Sequence, residues 1–541
     1  MAVTTILGAL LLFIVIAVQV HRWFKRQFIK DIQGPPSSFF LGNELDINHQ
    51  DQVGDSELTW IQDYGTAWRT GGCFGEDVLM TVDPKALQHV FQVGGYNYPK
   101  PAAIRQTIRM LMGRGIVWAA GDDHFRQRKI MNPAFQPAQL RSFLPVFRQL
   151  GSDLCNKWKD NILTTDAPQV IDVVGWLSRA TLDAMGVAAF DYQFRSLDDT
   201  KDELLSVFTN LFSDSVLHPS KFAILFVGLW SYVPSSWLYY VQYIPSRECL
   251  RFRHYLKLAS KVAKELIDEK TERVLAGRAE KSKDAMTVLV QANLSEDPKR
   301  RLDDDEMISQ MMTLMLAGYE TTSTTLGYFL WELSKHPEWQ DRIREEIIST
   351  QAKIAARGEQ DFTIADMEGM EYLNAALKET LRLHPTVYTL KREAEIDDII
   401  PLAYPIKTKS GKMVSEIPIR KGQNILVSIW GYNHLKQVWG QDAEFWKPER
   451  FMGDKQERET SVGVYANTMS FSAGVRSCIG WRFALIEMQA ILIELLLNFE
   501  FSLSPEKPEI QRMPAFQLMI PVLKNKVEEG TQLPLQVTII R

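Results

Sequence analysis

The chain has 541 residues, 45 % hydrophobic and 23 % charged, which suits a large globular protein with a substantial core. Its net charge of −5 excludes the basic footprint of a nucleic-acid binder. Four dispersed cysteines (Cys73, Cys155, Cys249, Cys478) and nine scattered histidines exclude a disulfide framework, an HExxH site and a Cys/His zinc module. Such dispersed thiols suit a reducing compartment.

Residues Ala2 to Val20 carry no charge, and about 19 residues suffice to cross a bilayer core as a helix. Their twelve Leu, Ile, Val or Phe residues favour insertion by at most roughly 4–7 kcal/mol. Arg22, Lys25, Arg26 and Lys30 follow, and positive flanks stay on the cytosolic side. A cleaved signal peptide would need a basic start and a small-residue cleavage site, and neither is clear. The expected organisation is a transmembrane anchor over 1–21, a basic linker over 22–54 stiffened by Gly34-Pro35-Pro36, and one large domain over 55–541. No repeat or low-complexity tract divides that domain.

Gly121-Asp-Asp-His124-Phe-Arg126-Gln-Arg128-Lys129 precedes Asn132-Pro133-Ala134-Phe135. The apolar run Phe222 to Trp230, with Trp237 to Tyr240 beyond it, is too short to span a membrane. It reads as core packing or as a surface dipping into lipid. Asp303 and Glu306 have the spacing of a capping box, and a long apolar pattern runs from Met307 to Leu333 until His336-Pro337 stops it. Inside that helix Thr321 to Thr325 is five Ser or Thr residues in a row, costing on the order of 2–3 kcal/mol relative to alanine. Ala317 and Thr321 share a face, so the Thr321 hydroxyl can bond back to the carbonyl of residue 317. Small Ala317 and Gly318 leave room beside it.

A second helix is predicted near Glu371 to Leu383, ending before His384-Pro385. Glu379 and Arg382 stand on one face of it. Lys407 to Lys412 reads as a hairpin turn and Gln423 to Ile429 as a strand. The fold class is therefore mainly α with a minor β-sheet region. Cys478 lies in Phe471-Ser-Ala-Gly474-Val-Arg476-Ser-Cys478-Ile-Gly480, just before an apolar helical pattern from Ile479 to Leu496. A soft thiolate in a glycine-rich loop at a helix start suits iron, and Arg476 can reach an anionic group of a cofactor. Phe471 can shield the sulfur.

The Cys478 stretch resembles the F-x-x-G-x-R-x-C-x-G signature of the cytochrome P-450 haem-thiolate monooxygenases, with all five fixed positions present. Ala317 to Thr322 resembles the family's A-G-x-[D/E]-T-[T/S] oxygen-binding motif, Glu379 to Arg382 its E-x-x-R, and Pro448 to Phe451 its P-E-R-F. The resemblance covers about residues 55 to 525 and implies the cytochrome P-450 fold with an N-terminal transmembrane helix. It implies haem b (iron protoporphyrin IX) with the Cys478 thiolate as metal ligand and Arg476, Phe471, Gly474 and Gly480 around it. A thiolate there pushes electron density onto the iron and favours O–O cleavage. Thr321 would position water and dioxygen, and Glu320 would relay protons. A buried triad of Glu379, Arg382 and Arg450 would lock the loop beneath the haem. His124 (where the family's W-x-x-x-R has tryptophan), Arg128 and Arg392 would meet the propionates.

The implied activity is NADPH- and O2-dependent oxidation of an apolar small molecule. The stretch from Gly121 to Phe135 looks most like membrane-bound fungal enzymes of terpenoid or other specialised metabolism. A fatty-acid or sterol hydroxylase, a reductase-independent isomerase or dehydratase, and a non-catalytic haem-binding membrane protein are the alternatives. The Glu320-Thr321 pair argues against the isomerase. The glycines near Gly71 and Gly113 lack a strand–helix setting for flavin or nicotinamide, so NADPH acts only through a partner. The resemblance implies NADPH–cytochrome P-450 reductase as that partner, with cytochrome b5 as a second candidate. The resemblance implies a single-pass endoplasmic-reticulum protein with its catalytic domain in the cytosol. Substrate contacts would then fall on about Pro101 to Val117, Phe208 to Tyr243, the helix around Met315, and Thr386 to Leu390.

Overall fold

A computed structural model describes residues 29–161, 168–198, 217–244, 246–277, 284–453 and 461–540. The expected anchor, residues 1–21, and part of the substrate segment that begins at Phe208 lie outside the described residues. Among the described residues no helix is long and apolar enough to cross a membrane. Residues 29–54, read as part of a linker, are laid against the body: Ile29 and Ile32 are buried in a sheet-side core with Trp68 and Ile406. Ile32 bridges to Thr408, and Asn43 accepts a bond from the Gly71 amide at 2.8 Å.

The principal helices are α1 (Ala102–Met112), α2 (Gly121–Met131), α3 (Pro137–Asn161), α4 (Val173–Phe190), α5 (Lys221–Trp230), α6 (Arg247–Leu275), α7 (Asp304–Lys335), α8 (Glu371–Leu383) and α9 (Trp481–Asn498). The strands are β1 (Ala67–Gly72), β2 (Glu76–Thr81), β3 (Gln169–Asp172), β4 (Thr389–Glu393), β5 (Asp398–Lys407), β6 (Met413–Ile419), β7 (Asn424–Ser428), β8 (Phe499–Leu503), β9 (Ile510–Ala515), β10 (Leu518–Leu523) and β11 (Pro534–Ile539).

α7 is the axis of the molecule. Thirty-two residues make it about 48 Å long. Asp303 and Glu306 form the expected capping box, and Pro337 begins the next helix after His336. α4 packs along α7, and α9 packs along α3, in one large apolar core. Beside this helical body lies a four-stranded sheet in the order β1-β2-β7-β4, parallel only between β2 and β7. β5 and β6 form the predicted hairpin. β9 pairs with β10, and β3-β11-β8 closes the far side. α8 spans the residues predicted for it, and β7 falls inside the predicted 423–429 strand.

Candidate active site

The loop before α9 is fixed by backbone geometry. Gly474 has φ +62°, and a Cβ there would lie 1.8 Å from the Phe91 carbonyl oxygen. Only glycine fits such a left-handed, contacted position. The Cys478 amide donates to the Phe471 carbonyl at 2.9 Å, and the Ser477 amide to Gly474 at 3.1 Å. The other three cysteines are buried, whereas Cys478 keeps open surface. It lies deep enough that burial still pushes the thiol up, opposed by the Gly480 amide and the Arg128 charge. Gly480 has an ordinary φ of −93° and serves as the residue before α9. An added Cβ there would meet only Phe135 Cε1 at 3.6 Å, so its amide matters rather than its freedom. The Phe471 ring packs edge-on against Tyr465 at 6.0 Å.

Midway along α7 the burial pattern breaks. Ala317 is exposed, and Gly318, Glu320 and Thr321 are half-buried, between fully buried turns on both sides. Thr321 Oγ1 donates to the Ala317 carbonyl at 2.7 Å, the back-bond that the spacing predicted. Glu320 Oε2 is buried without a partner, and burial pushes the carboxyl up to about 8. It is protonated at neutral pH. Gly318 plays a different part from the expected one. A Cβ on it would lie 2.4 Å from Met185 Sδ, so its missing side chain is filled by α4 and Ala317 alone opens this turn.

A cluster of donors gathers from distant segments. Arg476 Nη1 donates to the Ala119 carbonyl at 3.1 Å, while its Nε and Nη2 are buried without partners. Arg392 is buried, and burial and the Arg476 charge bring it down to about 9. Lys100, which no motif marked, is pushed well below its usual value by burial and by Arg392, Arg476 and Arg105. The imidazole of His124 is buried 3.1 Å from the Tyr96 hydroxyl. Burial, with Arg476, Lys100 and Arg128, brings it down to about 3, so it is a neutral donor as an indole would be. Arg128 is used differently: Nη1 donates to the Ser477 carbonyl at 2.7 Å and braces the cysteine loop. Tyr96 and Lys100 escaped sequence reasoning because neither has a spacing signature.

The triad assembles fully. Arg382 donates from Nε and Nη2 to the two oxygens of Glu379 at 2.7 and 2.8 Å, with both side chains 0 % exposed. Arg450 Nε donates to Glu379 Oε1 at 3.4 Å, and the Lys447 amide donates to the same oxygen at 2.9 Å. Arg382 also binds the carbonyls of Asn433, Ala443 and Phe445 at 2.6, 2.7 and 3.1 Å. Asn433 in turn holds the Met469 amide at 3.0 Å, two residues before Phe471.

An open, loop-held sulfur, and the unpartnered buried Nε and Nη2 of Arg476 among the charges of Lys100 and Arg392, fit an iron porphyrin bearing two carboxylates. The comparisons agree. The cytochrome P450 family model matches residues 32–528. Cytochrome P450 monooxygenase 205 of Postia placenta is 34 % identical over 518 residues, 94 % of this chain and 92 % of the relative. Ganoderic acid synthetase CYP5150L8 of Ganoderma lucidum is 34 % identical over 511 residues, 90 % of each chain. Cytochrome P450 monooxygenase claQ of Ampulloclitocybe clavipes is 32 % identical over 521 residues, 96 % and 95 % of the two chains. The chain belongs to the cytochrome P450 family, oxidoreductases that bind haem through a cysteine thiolate.

Proposed function

We propose that this chain takes electrons from a separate NADPH-dependent reductase and uses O2 to hydroxylate or further oxidise an apolar small molecule of specialised metabolism, a terpenoid above all. The observation that carries the reading is the open turn of α7, where back-bonded Thr321 adjoins a half-buried, neutral Glu320. The haem supplies oxygen activation when bound. Cys478 presents the sulfur ligand, and the Gly480 amide and Arg128 stabilise its negative charge. Lys100, Arg392, Arg476 and neutral His124 orient the carboxylate edge of the cofactor. Arg382, Glu379 and Arg450 hold the loops that lead to Phe471. Thr321, whose hydroxyl proton goes to the Ala317 carbonyl, would offer its oxygen as an acceptor in the open turn, and Glu320 would hold a proton at its carboxyl for delivery. Specialised metabolism is supported by the name of the Ganoderma relative, ganoderic acid synthetase.

The reading places residues 1–21 across the endoplasmic-reticulum membrane. It is supported by an exposed apolar surface on α5 and the turn beyond it, where Phe222 is 78 % and Trp237 68 % exposed. Phe39 and Phe40 are exposed too. The experiment is turnover in microsomes: NADPH consumption and product formation on a terpene and lipid panel, with and without added reductase. Product that forms equally without reductase defeats the reading.

A further inference from the structure

α1 sits against the apolar surface just described. Its Ala103 and Met110 share a small hydrophobic cluster with Trp230, Leu238 and Cys249. Such surroundings call for apolar neighbours, yet α1 also places Arg105, Gln106 and Arg109 within one turn of each other. Arg105 is occupied: its Nε donates to the Trp118 carbonyl at 3.0 Å, and its guanidinium lies 4.6 Å from the Trp118 ring. Arg109 is not. Its guanidinium is held 4.5 Å from the ring centroid of Tyr239 and 5.9 Å from that of Trp118. No described residue hydrogen-bonds to it or forms an ion pair with it. Asp305, the carboxylate whose charge it feels, is paired with Arg114 at 3.4 Å. Burial lowers Arg109 from the usual guanidinium range, and Tyr239, Asp305 and Tyr243 offset it only in part.

Gln106 is 5 % exposed, and its Nε2 is buried without a partner. Trp230 Nε1, in the same cluster, is also an orphan donor. Gln106 Nε2 and Trp230 Nε1 are both donors. Buried donors are costly to leave unpaired, and a guanidinium fixed between aromatic faces is suited to a carboxylate.

We infer that Arg109, with Gln106, binds the carboxylate of an amphipathic substrate, so that the oxygenated molecule is a lipophilic acid held by its polar end beside the α5 surface. The inference rests on the proposed oxidation of an apolar molecule and names its class. The carboxylate would take two charge-assisted donors that now lack acceptors, while the hydrocarbon lies along the apolar faces of α1 and α5. α1 ends at Gly113, where a Cβ would touch Ser309 of α7, so a chain anchored on α1 runs toward the oxygen-handling helix.

The test is spectral titration of the haem-loaded enzyme with matched pairs: palmitic acid and methyl palmitate, abietic acid and methyl abietate, oleanolic acid and methyl oleanolate. At least one acid should bind about tenfold or more tighter than its ester. That ratio should collapse in Arg109→Gln and recover in part in Arg109→Lys. No acid preferred over its ester, no acid that binds, or a preference unchanged in Arg109→Gln, overturns the inference. A lipid phosphate is the rival anion. If Arg109→Gln instead weakens binding to phosphatidylcholine–phosphatidylserine vesicles and leaves the acid-to-ester ratio intact, the inference is also overturned. Turnover is read separately. Reductase-driven oxidation of esters and acids alike removes only this inference, whereas no oxidation of any probe removes the proposed function.

Discussion

Replacing Glu379 by Gln tests the brace beneath the cysteine loop. The substitution keeps shape and removes the charge that Arg382 meets through two short bonds inside a fully buried pair. Arg382 retains three carbonyl acceptors, but no counter-charge remains on its inner side. Breaking a buried pair in this way costs about 3–5 kcal/mol, because one of the two oxygens that Arg382 meets becomes an NH2 donor and the charge is gone. Arg450 is the internal control. It is only 10 % exposed, yet its bond to Glu379 is long at 3.4 Å and it also pairs with Asp442 at 2.9 Å. Arg450 also holds the Trp439 and Asp442 carbonyls, but its loss leaves Glu379 paired with Arg382, so Arg450→Gln should cost less, about 1–3 kcal/mol. Urea unfolding of the haem-loaded protein, with haem transfer to apomyoglobin as a second readout, measures both. Net stabilities of about 5–15 kcal/mol leave Glu379→Gln close to unfolding, so Glu379→Asp, which keeps the charge, gives an intermediate reference. A Glu379→Gln loss under about 1 kcal/mol, or one no larger than that of Arg450→Gln, would refute the uncompensated-charge argument.

Gly474→Ala should cost about 1–2 kcal/mol from its left-handed backbone alone, and more from the Phe91 carbonyl. The reduced carbon monoxide complex should lose its thiolate-type absorption band; an unchanged spectrum counts against the pinned loop. Thr321→Ala should divert electrons into hydrogen peroxide, read as less product per NADPH, and an unchanged ratio would remove Thr321 from oxygen handling. Glu320 is pushed up to about 8 in the fold from a value of 4.5, so the folded state binds the extra proton across that window. Stability therefore falls as pH rises from about 5 to about 8, and Glu320→Gln should flatten that limb of a urea-midpoint series. Serine at both Phe222 and Trp237 should weaken vesicle binding of the full chain without altering its thermal unfolding; unaltered binding argues against lipid contact there.

Local signals carried much of this fold. The Asp303–Glu306 cap, the stop at His336-Pro337 and the α8 boundaries are chemistry between near neighbours, so they were readable in the sequence. The same holds for the Thr321 back-bond and for the glycine-rich run around Cys478. Sheet order was not readable. β2 pairs with β7 across more than three hundred residues, and nothing local sets that register. Lys100 escaped for the same reason, since its meaning comes from Arg392 and Arg476, far along the chain. Gly318 was misread because a small residue on a helix is silent about whether it opens a space or admits a neighbour. Met185 of α4 decides the matter.

The contact between Gly474 and the Phe91 carbonyl ties two stretches of chain that are nearly four hundred positions apart. Drift at one therefore has to be answered at the other. In any descendant that abandons glycine at 474, the main-chain path around 91 must be rerouted, so the two segments should be inherited as a single block. A chimera that brings a side chain to 474 without a rerouted backbone around 91 is expected to fail.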